Sequence, residues 1–486
     1  MKKIIITTII LGLLSIITKV MGFFKEILIA KYYGTSKVLD EYLLLMTIPN
    51  FILNVLMPGL GILIITKMIN FNDDNFQQIK GKKTFHFPIS NSDIKFISFI
   101  LTTILLMNVF IMAIVGNGNQ IIFKYILLTS ISVLYFIQVA FTYIFQSTKE
   151  FYIGYYGSAI QFILSITIII FGFGVISSSI LLLVSLCLAL IFEVLFISIY
   201  FSKQKIKFVR VKKVENNYSK NLFVAVISLG IVEIIFSITK LMAYFLGVDG
   251  KVSSINYAYK IMNFPLSIVL LTLLTVVFPE FSKMEKGKKI KELYKLTNRL
   301  THFLLISLGL ISIFTYLNAH NIVETLFFRG EFTYRSVNQT SLLLKSIYLV
   351  IPLVGLISII VRVRLVEKKN KEIWLAIFLG VLTLVITQTV SIVMKSELLF
   401  DMSITISFFL MTIMVGSKLL VNRFFLTSII ILGSGIVVYY WLRVCMIYLT
   451  DFDENIISLF ADGILVLLVV LLTYLFSIKM ISQNPK

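Results

Sequence analysis

Charged residues are scarce in this sequence. Only 14% of its 486 residues are Asp, Glu, Lys or Arg, whereas soluble domains average about 25%. Apolar runs of about 20 residues recur from end to end, and each is long enough to cross a hydrocarbon core of about 30 Å. The sequence therefore predicts an all-α polytopic membrane protein. It excludes a β-barrel, whose strands alternate polar and apolar residues.

Cysteine and histidine are also rare. Cys187 and Cys445 both fall in apolar segments, and the three histidines are scattered. This pattern predicts no disulfide framework, no metal and no cofactor. The net charge is +20, but the basic residues lie mostly in short loops, as cytoplasmic loops of membrane proteins do. Membrane lipid is therefore an expected partner, and nucleic acid is not.

Fourteen candidate spans can be read from the apolar runs. They are 4–30, 41–69, 94–115, 120–145, 151–175, 176–202, 222–247, 253–282, 298–319, 341–364, 372–394, 397–421, 425–444 and 456–480. The start resembles a signal peptide, but no cleavage site follows and the apolar helix continues, so we predict a retained first span. Basic loops alternate with short or acidic ones, which predicts that both termini are cytoplasmic.

The loops are short, and the longest are 70–93, 203–221 and 320–340. No catalytic domain fits outside the bilayer, so we predict that the protein is not an enzyme. A membrane glycosyltransferase or ligase and a non-transporting scaffold remain as minor alternatives.

An internal repeat is visible. "IITKVM" at 16–21 recurs as "SITKLM" at 237–242, and each copy precedes a glycine and then a span containing proline. The order predicts two parallel six-helix repeats, as in transporters that work by alternating access. The predicted division is a six-helix repeat over 1–202, a basic cytoplasmic linker over 203–221, a second six-helix repeat over 222–421, and two additional helices over 422–486.

Prolines fall inside spans 2 and 8. Pro49, Pro58 and Gly59 lie in the second span and Pro265 in the eighth. Interrupted helices at membrane depth line cavities in such folds. We therefore predict that both spans are interrupted and that these residues act as hinges. A packing kink is the alternative at Pro49 and Pro265.

Lysines lie inside predicted spans, where charge is costly. Lys19 falls near the middle of span 1, Lys25 lies in its outer half beside Glu26, and Lys260 is in the outer half of span 8. A lysine at the bilayer centre costs about 2.5–3.5 kcal/mol on insertion scales. Lysines outnumber acids, so we predict a cationic cavity for an anionic substrate, with a diphosphate as the natural candidate. Interhelical ion pairs are the alternative.

Other intramembrane charges have more than one interpretation. Glu233 and Lys240 are seven residues apart in span 7, on nearly one helix face, and could form an ion pair or a coupling site. Glu193 and Asp462 lie deep in spans 6 and 14, where each could bind a proton or a cation. Seven residues near helix ends are expected only to reach polar surroundings: Lys124, Lys345, Arg362, Arg364, Asp401, Lys418 and Lys479.

Three segments resemble one family. "TKVMGFFKEILIAKYYGTSKVLDEYLLLMTIPN" (18–50), "INYAYKIMNFPLSIVLLTLLTVVFPEFSK" (255–283) and "FFRGEFT" (327–333) resemble the MurJ/MviN-type lipid II flippases of the MOP exporter superfamily. The resemblance implies a flippase for an undecaprenyl-diphosphate-linked peptidoglycan precursor in the bacterial cytoplasmic membrane. It also implies a cationic site, with Lys19, Lys25 and Lys260 at arginine positions, Glu26 at the adjoining acid and Asp40 at a loop Asp.

The sequence departs from the family pattern at several points. Lysine keeps the charge but loses the guanidinium fork. An arginine expected shortly after Pro-Asn in span 2 is replaced by Leu53 and Asn54, and a Glu-Gly-Ala signature by Pro58-Gly59-Leu60. An exporter of another lipid-linked oligosaccharide and a cation-coupled small-molecule antiporter therefore stay open as alternatives. We expect a monomer.

Overall fold

The computed structural model divides the chain into two compact units, Met1–Ser237 and Ile238–Lys486. It describes residues 2–56, 61, 64, 85–89, 91–115, 120–148, 150–175, 178–203, 206–210, 226–228, 230–287, 289–420, 432–440, 462–466 and 468–469. The predicted spans 425–444 and 456–480, together with Pro58 and Gly59, lie largely or wholly outside these residues. The count of fourteen spans and the predicted division therefore stay predictions.

The described residues of the first unit form helices and two short strands. Its elements are α1 (Lys2–Tyr33), α2 (Lys37–Leu45), α3 (Thr47–Phe51), a π-helical turn (Ile52–Leu56), β1 (Phe85–Ile89), α4 (Asn91–Val115), α5 (Ile121–Ser147), α6 (Tyr152–Gly172), α7 (Ser179–Lys203), β2 (Ile206–Arg210) and the start of α8 (Ile231–Leu246). The strands pair in parallel, with Phe85 opposite Ile206 and Ile89 opposite Arg210. This small sheet joins the ends of two segments that were predicted to be loops.

The second unit contains the rest of α8, seven further helices with defined bounds, and helical residues at 432–440, 462–466 and 468–469. The seven helices are α9 (Lys251–Lys286), α10 (Ile290–Leu317), α11 (Ala319–Phe327), α12 (Tyr334–Ser346), α13 (Val350–Val366), α14 (Asn370–Val393) and α15 (Glu397–Leu420). The prediction that 320–340 is a loop is wrong, because α11 and the first part of α12 occupy most of it. Phe327, at the end of α11, is fully buried, which explains why this segment folds back as helix.

Seven helices in the described part of the chain are long and apolar enough to cross a membrane, and nine segments qualify if each of two bent helix pairs is one span. This confirms the polytopic all-α class. The bent pairs are α2 with α3 and the π-helical turn, at 45°, and α12 with α13, at 46°. Span 10 therefore begins earlier than predicted and bends between Ser346 and Val350.

The two proline-containing spans behave differently. Span 2 is interrupted as predicted, and Pro49 lies in the first turn of α3, where its missing N–H costs no helical hydrogen bond. The prediction that span 8 is interrupted is wrong, because α9 continues without a break across Pro265. A proline inside a membrane helix is tolerated when neighbouring groups satisfy the backbone that it leaves unbonded. The hinge role of both residues stays a prediction.

Small residues bring helices close together in both units. A Cβ at Gly157 on α6 would lie 3.1 Å from Glu193 Oε1 on α7, and a Cβ at Gly380 on α14 would lie 2.2 Å from Met411 Cε on α15. The Ser407 hydroxyl also donates to the Gly380 carbonyl oxygen at 2.8 Å. Close approach at small residues, joined by short hydrogen bonds, is how membrane helices pack.

Candidate substrate-binding site

The lysines of α1 differ in their surroundings. Lys19 is partly buried, and in the described part of the chain no hydrogen bond or ion pair involves its ammonium group. Lys25 Nζ lies 5.6 Å from the ring centroid of Phe162 on α6, a cation–π contact. Gly22 allows this approach, because a Cβ there would lie 3.2 Å from the same ring. Of the two partly buried lysines Lys19 and Lys25, Lys19 is therefore the one whose ammonium group has no hydrogen bond, ion pair or ring contact in the described part of the chain.

The two acids of the predicted site lie on α1 and at the start of α2. Ser36 caps α2 by accepting a hydrogen bond from the Leu39 N–H at 3.3 Å, and Asp40 is buried in the first turn of that helix. A carboxylate there is favoured by the helix dipole. Glu26 is partly buried on α1. Their role towards a substrate stays a prediction.

An ion pair that was not predicted lies beside Asp40. Glu41 Oε1 pairs with Lys124 Nζ of α5, and Glu41 Oε2 accepts a hydrogen bond from the Ser179 hydroxyl of α7 at 2.7 Å. The expectation that Lys124 merely reaches polar surroundings is wrong, because it is buried and paired. A lone lysine in the apolar start of α5 was the only signal in the sequence.

The second unit holds its span 7 lysine firmly. Lys240 is only 4% exposed, donates to Asn256 Oδ1 at 3.0 Å and lies 5.9 Å from the ring centroid of Tyr259. Glu233 is also buried on α8, and its pairing with Lys240 stays a prediction. Lys260 is partly buried on α9, and its contact with a substrate is likewise a prediction.

A second unpredicted ion pair connects α9 with α15. Lys251 Nζ lies 2.8 Å from Asp401 Oδ1 and 3.2 Å from Glu397 Oε2. Lys251 and Asp401 are both buried. The expectation that Asp401 is an ordinary helix-end acid is wrong, because the pair joins two helices that are far apart in sequence.

Arg364 is also more than a helix-end cation. It is fully buried, donates to the Val415 carbonyl oxygen at 3.2 Å and donates to Glu367 Oε2 at 3.1 Å. Burial by itself would raise the pKa of Glu367, but hydrogen bonds from Tyr294, Lys369 and Arg364 together lower it. The arginine therefore fixes the junction between α13, α14 and α15.

The "FFRGEFT" segment forms a packed turn. Phe327 and Phe332 stack around Tyr257 of α9, with ring centroids 4.8 and 5.4 Å from it. Arg329 donates to the carbonyl oxygens of the preceding helical turn, and Gly330 adopts φ 58°, which favours glycine. In this structure the motif has a structural role.

These observations define a polytopic helical membrane protein with two compact helical units. The family model described as lipid II flippase MurJ matches residues 29–476. Because this match covers most of the sequence, the chain belongs to the lipid II flippase MurJ family. A probable lipid II flippase MurJ from Rickettsia prowazekii (strain Madrid E) is 28% identical over 371 residues, which are 71% of this chain and 69% of the relative.

Solved structures show the same fold. A lipid II flippase MurJ in an inward closed conformation matches with a TM-score of 0.69 and 18% identity, covering 97% of this chain and 100% of that one. An inward-facing multidrug resistance MATE family transporter of the MOP superfamily matches with a TM-score of 0.54 and 12% identity, covering 86% of this chain and 95% of that one.

Proposed function

We propose that this protein moves a lipid-linked diphosphate glycan, lipid II of peptidoglycan synthesis, across the bacterial cytoplasmic membrane by alternating access. Membership of the lipid II flippase MurJ family supports the substrate class. The single observation that supports a site is Lys19, a partly buried ammonium group within a long helix, with no ion pair among the described residues.

The proposed site is cationic and acts by charge. Lys19, Lys25 and Lys260 attract the diphosphate, while Glu26 and Asp40 hold the surrounding side chains in place. Ammonium groups bind phosphate as point charges, without the fixed fork of arginine. The polyprenyl tail remains in lipid while the head group crosses. The protein works as a monomer without a catalytic step, and both termini are cytoplasmic.

A replacement experiment tests the site. In cells whose own lipid II flippase is depleted, the wild-type protein should restore growth, and Lys19→Ala should lower transport at least tenfold while the protein remains in the membrane. Lys19→Arg should retain transport, because it keeps the charge. Lys31→Ala is the matched control, since Lys31 is exposed on the same helix. Full transport by Lys19→Ala, Lys25→Ala double variants would disprove the cationic site.

The substrate is tested separately. Purified protein in vesicles should move lipid II faster than a lipid-linked oligosaccharide that has the same diphosphate and a different glycan. This comparison is needed because the sequence departs from the family pattern at Leu53 and Asn54. The arginine missing from span 2 would remove one contact to the head group. The opposite preference would assign the protein to export of another lipid-linked glycan.

A further inference from the structure

A buried carboxyl group on α7 has no ion pair with a lysine in the described part of the chain. Glu193 is fully buried, and its Oε1 accepts a hydrogen bond from Gln138 Nε2 of α5 at 2.9 Å. The same oxygen lies 3.1 Å from the position that a Cβ on Gly157 of α6 would occupy. Glycine at 157 therefore leaves the room that this carboxyl group needs between three helices.

The cluster lacks one hydrogen-bond donor. Glu193 Oε2 and Gln138 Oε1 are both buried, and neither has a hydrogen-bond partner in the described part of the chain. The Ser158 hydroxyl of α6 is within reach of the Glu193 carboxyl group, but its hydrogen is donated to the Gly154 carbonyl oxygen at 3.0 Å. Turning the Gln138 amide over does not supply the donor, because Gln138 Oε1 would then face Glu193 Oε1 and both oxygens are acceptors. One proton on Glu193 Oε2 supplies a donor for the cluster.

No opposite charge compensates Glu193 among the described residues. The phenol of Tyr135 on α5 faces it and is hydrogen-bonded to Gln161 of α6, and Glu26 of α1, which also acts on Tyr135, is a further acid and not a cation. Lys124 and Glu41 pair with each other near Ser179, about 20 Å from Glu193 along α7. An unpaired carboxylate in such a place is strongly disfavoured, so the neutral acid is the form that fits.

An apolar layer closes one side of the cluster. Ile197 lies about one turn further along α7 than Glu193. It forms a buried cluster with Phe145 and Ile153, and Phe141 and Phe196 pack against this cluster. This layer keeps the carboxyl group out of contact with the polar end of the helices. On this side, exchange of a proton with water therefore requires the packing of α5, α6 and α7 to open.

We propose that Glu193 is a proton-binding site that links transport to pH. In the packed state its Oε2 carries the proton. When the three helices separate, the O–H bond breaks, the proton passes to water and the carboxylate becomes hydrated; return of the proton restores the packing. Proton binding is independent of the proposed function, and only its link to transport rests on that function.

Infrared spectroscopy of the full-length protein in phosphatidylcholine nanodiscs tests proton binding. At pH 7 the wild type should show a protonated-carboxyl C=O band that Glu193→Gln lacks. Gly157→Ala should shift this band without removing it, because the new methyl group presses on Oε1. Asp401→Asn is the matched control and should keep the band, since buried Asp401 is paired with Lys251 at 2.8 Å.

Two results would overturn proton binding. One is identical carboxyl bands in the wild type and Glu193→Gln between pH 5.5 and 9. The other is loss of the wild-type band when sodium replaces choline, which would make this a cation site.

The link to transport is measured in vesicles: the wild-type transport rate should change at least threefold between pH 6 and 8, and that of Glu193→Gln should not. Equal pH dependence in both proteins would reject the link.

Discussion

The same Thr-Lys dipeptide occurs in both units and has different surroundings in each. Thr18 donates its hydroxyl to carbonyl oxygens of its own helix, at 3.1 and 3.0 Å, and Lys19 has no ion pair among the described residues. Thr239 instead accepts a hydrogen bond from Gln388 Nε2 of α14 at 3.1 Å, and Lys240 is buried against Asn256. The first dipeptide is suited to a ligand, and the second contributes to helix packing.

The two dipeptides also differ in their distance from the end of the helix that carries them. Both helices end at a glycine with positive φ, Gly34 at 54° and Gly247 at 71°. Lys19 lies fifteen residues before its glycine and Lys240 only seven before its own, which corresponds to about 22 Å and about 10 Å of helix. The two Thr-Lys dipeptides therefore lie at different distances from the ends of their helices, although both helices end at a glycine with positive φ.

The largest expected effect is at the ion pair of the second unit. Lys251→Met leaves Asp401 and Glu397 without their cation and should lower the free energy of unfolding by about 3–5 kcal/mol, measured by thermal melting in detergent. Lys124→Met should cost less, because Ser179 still donates to Glu41. Lys289→Met is the control, since its partner Glu292 is exposed. Equal melting of all three variants would contradict the comparison.

The dipeptides themselves provide the next test. Lys240→Ala leaves Asn256 Oδ1 without the ammonium donor and should destabilise the protein by about 1–3 kcal/mol. Lys19→Ala should change stability by less than about 0.5 kcal/mol. Melting curves of the two variants in one detergent measure the difference. If Lys19→Ala is destabilised as much as Lys240→Ala, Lys19 has a packing role and the contrast disappears.

A glycine pair sharpens the contrast between open and packed helices. Gly380→Ala places a Cβ against the flexible end of Met411, so overpacking should cost about 1 kcal/mol. Gly12→Ala on α1 meets nothing within 4 Å and should be neutral or slightly stabilising, since alanine favours helix. If melting experiments show that Gly12→Ala is destabilised and Gly380→Ala is not, α1 is packed more tightly at Gly12 than α14 is at Gly380.

The smallest effect concerns acid stability of the second unit. The pKa of Glu367 is lower in the folded protein, so this carboxylate stabilises the fold above the pKa of an unfolded glutamate, about 4.3. That contribution is lost as the pH falls through the folded-state value. The wild-type melting temperature should therefore fall more steeply below about pH 4 than that of Glu367→Gln. Parallel curves would show that the network adds no stability.

The sequence predicted the helical membrane class and the break near Pro49, because apolar length and proline act locally. It could not predict that Glu41 meets Lys124 or that Lys251 meets Asp401, since partners 83 and 150 residues apart leave no local pattern. It also misjudged Pro265, because the groups that sustain a helix across a proline lie on its neighbours. Lys19 was singled out because a lone charge in a long apolar run is itself a local signal, and its role at a site stays a prediction.

The π-helical turn at Ile52–Leu56 follows directly after α3. Hydrogen bonds from residue i to i+5 fit one extra residue into a turn, and such turns occur mostly at functional sites. The side chains before and after it therefore face directions that a regular helix would not give them. Deleting one residue from this turn would restore the regular winding and rotate Pro49 by about 100° relative to the residues that follow. Such a deletion would therefore change which side chains are met by the residues on either side of the turn.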